Sequence, residues 1–195
     1  MELKNFFLKD INENIDCHRK LIKNYYEIQK AVKVVSKSIK SGGKLLFCGN
    51  GGSAADAQHL AAEFLVRLKP TFNRVPIPAM TLAQDTSTIT ACGNDYDFSD
   101  IFLRTFRAFA NKGDILFAIT TSGNSKNIYK VLKEAKKKKN LTIGLLGGTG
   151  GVCKKLCDIK IIVPSKITSR IQECHIFLGH FILQQVENII FKRFK

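Results

Sequence analysis

Apolar positions set two rhythms along the chain. From residue 2 to 41, Leu3, Phe6, Phe7, Ile11, Ile15, Leu21, Ile22, Tyr25, Ile28, Val32, Val35 and Ile39 recur three or four apart. That spacing marks one helical face, and Gly42 and Gly43 stop it. The stretch is long for one helix and leaves room for a break in its middle. Beyond it, short apolar runs predict strands at 44–48, 79–83, 114–120, 142–147 and 159–164. Helical patterns at about 53–69, 86–92, 99–111, 125–139 and 150–155 fall between them. Apolar strands alternating with helices predict an α/β fold of three layers, a five-stranded parallel sheet covered on both faces. A chain of 195 residues is enough for one well-cored domain and short for two, so 1–195 is expected to fold as a single domain.

The closing helix, predicted from Ser169 to Phe194, breaks the amphipathic rule. Ile171, Ile176, Phe177, Leu178, Phe181, Ile182, Leu183, Val186, Ile189 and Ile190 point in nearly every direction. A helix apolar all round is buried all round, and a small domain rarely encloses its terminal helix. A homo-oligomer is therefore expected, with this helix and the first one in the interface. Gln172, His175 and His180 lie on the same helix. Buried polar groups need partners, so these three are either hydrogen-bonded structural residues or site residues.

Composition narrows the setting. No apolar run approaches the roughly 20 residues that cross a bilayer. The N-terminal MELKNFFLKDINENID has no cleavable apolar core. A cytoplasmic protein without membrane contact is expected. Six cysteines (Cys17, Cys48, Cys92, Cys153, Cys157, Cys174) lack paired CxxC spacing and read as small buried hydrophobes. Cys153 and Cys157 alone make a poor metal site without a second pair. The net charge of +15 is spread widely. Its densest run, Lys133 to Asn140, ends a predicted helix, where lysines complement the dipole and are solvated. No nucleic-acid motif accompanies the charge, and nucleic acid is not expected as a partner. A phosphorylated substrate would be favoured.

Two strand-to-helix turns resemble each other: Cys48-Gly-Asn-Gly-Gly-Ser53 and Thr120-Thr-Ser-Gly-Asn-Ser125. Ligands of open parallel sheets sit at the carboxyl ends of strands. Thr120, Thr121, Ser122 and Ser125 give the second turn four hydroxyls, with Ser125 placed to cap the next helix. Such a turn suits phosphate, since four hydroxyls exceed what an N-cap requires. Gly49-x-Gly51-x-x-Ala54 also fits a dinucleotide fingerprint. The acid that fingerprint wants is missing, because the first one after the second strand, Asp85, lies well past the spacing. The nucleotide reading is the weaker.

On helix 53–69, Ala57, Ala61, Phe64 and Leu68 form the stripe facing the sheet. At 100° per residue, His59 and Glu63 lie nearly opposite. They are either a solvated i,i+4 pair or a site that another subunit covers. An imidazole and a carboxylate at that spacing can share a metal. With Gln172 and His180, eight residues apart and within about 80° on the last helix, they would make a mixed nitrogen–oxygen zinc site.

GGKLLFCGNGGSAADAQHLAAEF, ACGNDYDFSDIF, ITTSGNSKNI and SRIQECHIFLGH, in that order, closely resemble the sedoheptulose 7-phosphate isomerases (phosphoheptose isomerases) of the sugar-isomerase (SIS) fold. The resemblance covers essentially the whole chain. It implies a homotetramer with sites between subunits, which isomerises sedoheptulose 7-phosphate to D-glycero-D-manno-heptose 7-phosphate, the first step towards the heptose of lipopolysaccharide or other glycans. It implies that Asn50, Gly51 and Gly52 line the sugar with Ser53 close by, and that Asn94 and Asp95 contact its hydroxyls. Thr120, Thr121, Ser122 and Ser125 would hold the phosphate. His59, Glu63, Gln172 and His180 match the family's zinc positions, with Glu63 as base and His180 as acid. Ser169 stands where some members have Asp, and Thr120 where Ser is frequent. A non-enzymatic relative of this fold, which associates with the bacterial replication initiator, shares the GNGGSAA turn but lacks the second histidine of the last helix. The alternative function is such a binding protein, and His180 favours the enzyme.

Overall fold

The computed structural model describes residues 2–193, so Phe194, the predicted end of the last helix, lies outside them. The first helical stretch does break: α1 (Leu3–Lys20) and α2 (Tyr25–Lys40) are joined by a 3-10 segment, Leu21–Asn24. Asn24 holds the break against the sheet, its amide donating to the Ile162 carbonyl and its oxygen accepting the Ile162 N–H. The remaining order is β1 (Leu45–Gly49), α3 (Gly52–Leu65), β2 (Ala79–Thr81), α4 (Thr86–Asp95), α5 (Ile101–Phe109), β3 (Ile115–Thr120), α6 (Lys126–Lys137), β4 (Leu141–Gly147), β5 (Ile159–Val163) and α7 (Thr168–Ile190). Short 3-10 turns at Phe98–Asp100 and Val152–Leu156 replace predicted α-helix there.

All four strand pairings are parallel, in the order β2-β1-β3-β4-β5. The chain leaves β1 towards one edge and β3 towards the other. The switch point, where such sheets bind ligands, thus lies between the carboxyl ends of β1 and β3. Alternate strand residues face opposite layers. Leu45, Phe47, Phe117 and Leu145 pack against α2, α3 and α7, while Leu46, Leu116, Ala118 and Leu146 pack against α5 and α6.

α3 stops at Leu65, four residues short of the expected end at Lys69. The sheet-facing stripe is therefore Ala57, Leu60, Ala61 and Phe64, and Leu68 lies in the following loop. The last helix is covered on one side only. Ile171, Leu178, Ile182, Leu183 and Val186 are buried, but Phe177 and Phe181 stack on each other on the outer face, 47% and 38% exposed. In one chain only part of α7 is covered. α1 is barer still, with Leu3, Phe6, Phe7, Ile11 and Ile15 exposed and Cys17 its one buried side chain. Among the described residues no helix is long and apolar enough to cross a membrane.

All six cysteines are free and buried. Burial pushes the Cys153 thiol up to about 11 and that of Cys157 up to about 12. Cys157 donates to the Cys153 carbonyl at 3.4 Å. These thiols are packing groups, not thiolate ligands.

Candidate active site

The two turns meet at the switch point. After β1 the chain passes Asn50 and Gly51 into α3. Gly51 has φ 56° and ψ −124°, a conformation that L side chains avoid. It lets the chain reverse into α3, whose Ser53 and Ala54 N–H groups donate to the Asn50 and Gly51 carbonyls. Asn50 is locked across the crevice: its amide donates to Asn127 Oδ1 at 2.9 Å and Asn127 returns the bond at 2.8 Å. Asn127, on the first turn of α6, is buried. A reciprocal amide pair therefore ties one turn to the helix that follows the other.

Gln172 of α7 lies directly over the first turn. A side chain on Gly52 would collide with its amide, so glycine there is what admits Gln172. Gly51 and Gly52 are exposed, whereas Ser53 is buried beneath Gly49. A cavity of about 140 Å³ adjoins Gly49, Asn50 and Gly51.

The second turn is braced by backbone. Gly123 packs so closely on Gly150 and Gly151 that a side chain would land on the Gly150 carbonyl. The Gly123 carbonyl accepts from Cys153 N–H at 2.9 Å, and Asn124 Oδ1 from Val152 N–H at 3.0 Å. Ser125 occupies the N-cap position of α6 but makes no side-chain cap, contrary to expectation. Its hydroxyl pairs with Thr120 Oγ1 at 3.2 Å, and Thr120 also accepts from Gly123 N–H. Thr121 is half-buried and Ser122 exposed, with Ser122 Oγ accepting the Asn124 N–H. Ser125 thus leaves α6 uncapped, and of the first-turn N–H groups that of Ile128 donates to Asn127 Oδ1 at 2.9 Å.

α3 and α7 supply the remaining groups. His59 Nε2 lies 2.8 Å from His180 Nε2 and 3.3 Å from Glu63 Oε1. One ligand atom from each of the three falls within 4.8 Å of the others. Gly179 makes this approach possible, since a side chain there would strike Leu60 of α3. Two imidazole nitrogens and a carboxylate oxygen converging on one point are a donor set suited to zinc. Burial lowers the His180 pKa first, and a charge on His59 lowers it further, partly offset by Glu63. The ring is thus held in the neutral form that can ligate or accept a proton.

Gln172 stands two turns before His180 on α7, about 12 Å along the helix axis, with its amide over Gly52. Asn94 and Asp95 fall on the last turn of α4, exposed and bonded to each other at 2.9 Å. His175 is fully buried, and burial pushes its pKa down to about 4, partly offset by the Leu146 backbone beside it. Ser169 is exposed at the start of α7.

Sequence reasoning missed two residues. Asp56, one turn before His59, has a buried carboxylate oxygen without a partner among the described residues. Burial raises its pKa and His59 lowers it. An acid at i−3 from a candidate ligand was the available signal. Arg74, in the loop after α3, carried no pattern that marked it.

Comparison with known proteins bears on this geometry. The family model for the SIS domain matches residues 11–147. A phosphoheptose isomerase of Clostridium acetobutylicum is 45% identical over 192 residues, covering 97% of each chain. The chain belongs to the phosphoheptose isomerase family. It is an isomerase. Two solved structures of this family, from Neisseria gonorrhoeae and Francisella tularensis, superpose with TM-scores of 0.89 and 0.91 at 35% and 34% identity. Each covers 96% of this chain and 100% of the other.

Proposed function

We propose that the protein isomerises sedoheptulose 7-phosphate to D-glycero-D-manno-heptose 7-phosphate through an enediol, supplying heptose for bacterial glycans such as lipopolysaccharide. The observation that carries this reading is the convergence of His59, Glu63 and His180 beside the Asn50–Gly52 turn, in a chain 45% identical to a phosphoheptose isomerase.

The braced second turn holds the phosphate, with Thr120, Thr121, Ser122 and Ser125 as hydroxyl donors and the uncapped α6 N-terminus behind them. The first turn receives the sugar. Gly51 and Gly52 offer backbone N–H groups, Asn50 is fixed in place by Asn127, and Gln172 reaches sugar oxygens from above. Asn94 and Asp95 contact further hydroxyls from an adjoining subunit in a homotetramer. Exposed apolar side chains on α1 and α7 provide the surfaces that such an assembly buries.

Ketose-to-aldose conversion needs a proton moved from C1 to C2 and the oxygens served in step. Glu63 takes the C1 proton and returns it to C2, while the neutral His180 takes a proton from the C1 hydroxyl and gives it to the C2 oxygen. His59, hydrogen-bonded to His180, fixes that ring's orientation. Zinc fits the three convergent donors, and when bound it would polarise the substrate oxygens. The protein acts in the cytoplasm, where its phosphorylated substrate is retained.

The test is turnover of sedoheptulose 7-phosphate by purified protein, before and after chelation, with Glu63→Gln as control. Turnover by wild type that Glu63→Gln abolishes establishes the reaction and its base. A zinc-loaded wild type inert to this and to hexose and pentose phosphates would sink the reading.

A further inference from the structure

The three convergent groups sit on two helices, His59 and Glu63 on α3 and His180 on α7, and something must fix the distance between them. α3 ends at Leu65, so its last carbonyls have no partner within the helix. Ile77 N–H donates to the Phe64 carbonyl at 3.0 Å, and Arg74 donates to that one and to its neighbours. Its Nη2 donates to the Glu63 carbonyl at 2.8 Å, and its Nη1 donates to Phe64 at 2.8 Å, with longer bonds to Val75 at 3.1 Å and Val66 at 3.3 Å. The remaining donor, Nε, reaches Glu187 of α7 at 2.5 Å. Both side chains are sealed, at 1% and 3% exposure. Glu187 is seven residues after His180, so the two share a face of α7.

We propose that Arg74 is a positioning residue for the reaction, holding Glu63 of α3 against His180 of α7 through Glu187. The planar guanidinium is suited to this, since its donors diverge in a fixed fork that a lysine lacks. Its charge also complements the carboxyl end of α3. The clamp grips the backbone of Glu63 itself. Its loosening therefore displaces the carboxylate relative to the His180 ring before it unfolds anything. The inference rests on the proposed role of the His59–Glu63–His180 cluster.

Two variants test it. Arg74→Lys keeps a cation opposite Glu187 but loses the fork. Arg74→Met combined with Glu187→Leu removes both charges, so neither is left buried alone. Each is read by thermal melting, by zinc affinity in chelator competition, by kcat and KM for sedoheptulose 7-phosphate, and by nitrogen NMR of the His59 and His180 rings in metal-free protein. Expected are cooperative melting, zinc binding weakened about 10- to 100-fold, and ring signals shifted towards two separate imidazoles. A fall in kcat with KM changed by less than about twofold would accompany them, as for a group acting on the chemical step. Lower melting temperature alone, with zinc affinity, kcat and ring signals at wild-type values, would overturn the proposal. A wild type that binds no zinc and turns over no sugar would instead overturn the proposed function. The clamp is then judged on the ring signals, and falls if they are unchanged in both variants.

Discussion

The two halves of the site are built in opposite ways. The half proposed to hold phosphate is backbone: glycines packed on glycines, loop carbonyls taken up by N–H groups, and hydroxyls bonded to their own turn. The half holding His59, Glu63 and His180 is side chain alone, drawn from two helices and partly open to solvent. A turn can be rigid by itself because its bonds are local. A cluster between helices borrows rigidity from whatever fixes the helices. Small errors of geometry should therefore cost little at the first half and much at the second.

The sharpest test of that contrast is Glu63→Gln, which keeps shape and removes the proposed base. Turnover should fall about a thousandfold, the scale of general acid–base catalysis, with KM nearly unchanged in steady-state kinetics. An equal rise in KM would mean that Glu63 mainly binds substrate, and the division between the halves would fail.

His175, on the same helix as His180, asks whether any buried imidazole there matters to the reaction. Its folded pKa of about 4 lies below the unfolded value of about 6.5. As pH falls through 6.5 the unfolded state takes up a proton that the folded state refuses, so stability drops until about pH 4 and then levels. The loss is about 3 kcal/mol over that window, at about 1.4 kcal/mol per unit. Urea unfolding across it should show this extra slope in wild type and not in His175→Phe. Turnover per folded molecule at about pH 7.5, well above both pKa values, should be the same in both.

The smallest effect belongs to the phosphate half. Ser125→Ala should raise KM about tenfold, the worth of one hydrogen bond to a charged group, and leave kcat almost intact because Thr120, Thr121, Ser122 and the backbone remain. A large fall in kcat would show that the braced turn also aligns the reacting end.

What the sequence showed followed the same division. The five strands, both turns and the hydroxyl cluster were legible because each depends on neighbours in the chain. His59 and Glu63 could be placed on one side of α3 by angle, but that His180 meets them depends on how α3 lies against α7. Helical angle alone carries no axial distance. The Ser125 hydroxyl stands where capping is the local default, and the pairing with Thr120 that replaces it is made across the turn. Arg74 was invisible. Its partners are carbonyls and an acid 113 residues away, and backbone acceptors leave no trace in residue type.

The reciprocal bond between Asn50 and Asn127 has a consequence in the chemistry of ageing. Asn50 precedes Gly51, and an asparagine before glycine is prone to attack by the following backbone nitrogen, closing to a succinimide that opens to aspartate. Here the carboxamide is held at both ends by Asn127, turned to its partner rather than free to meet that nitrogen. Aspartate could not keep the pair, because one donor would become a second acceptor facing Asn127 Oδ1. Stored Asn127→Ala protein should accumulate aspartate at position 50 in a peptide mass map while wild type keeps its amide. The contact that joins the two turns thus also sets the shelf life of the site.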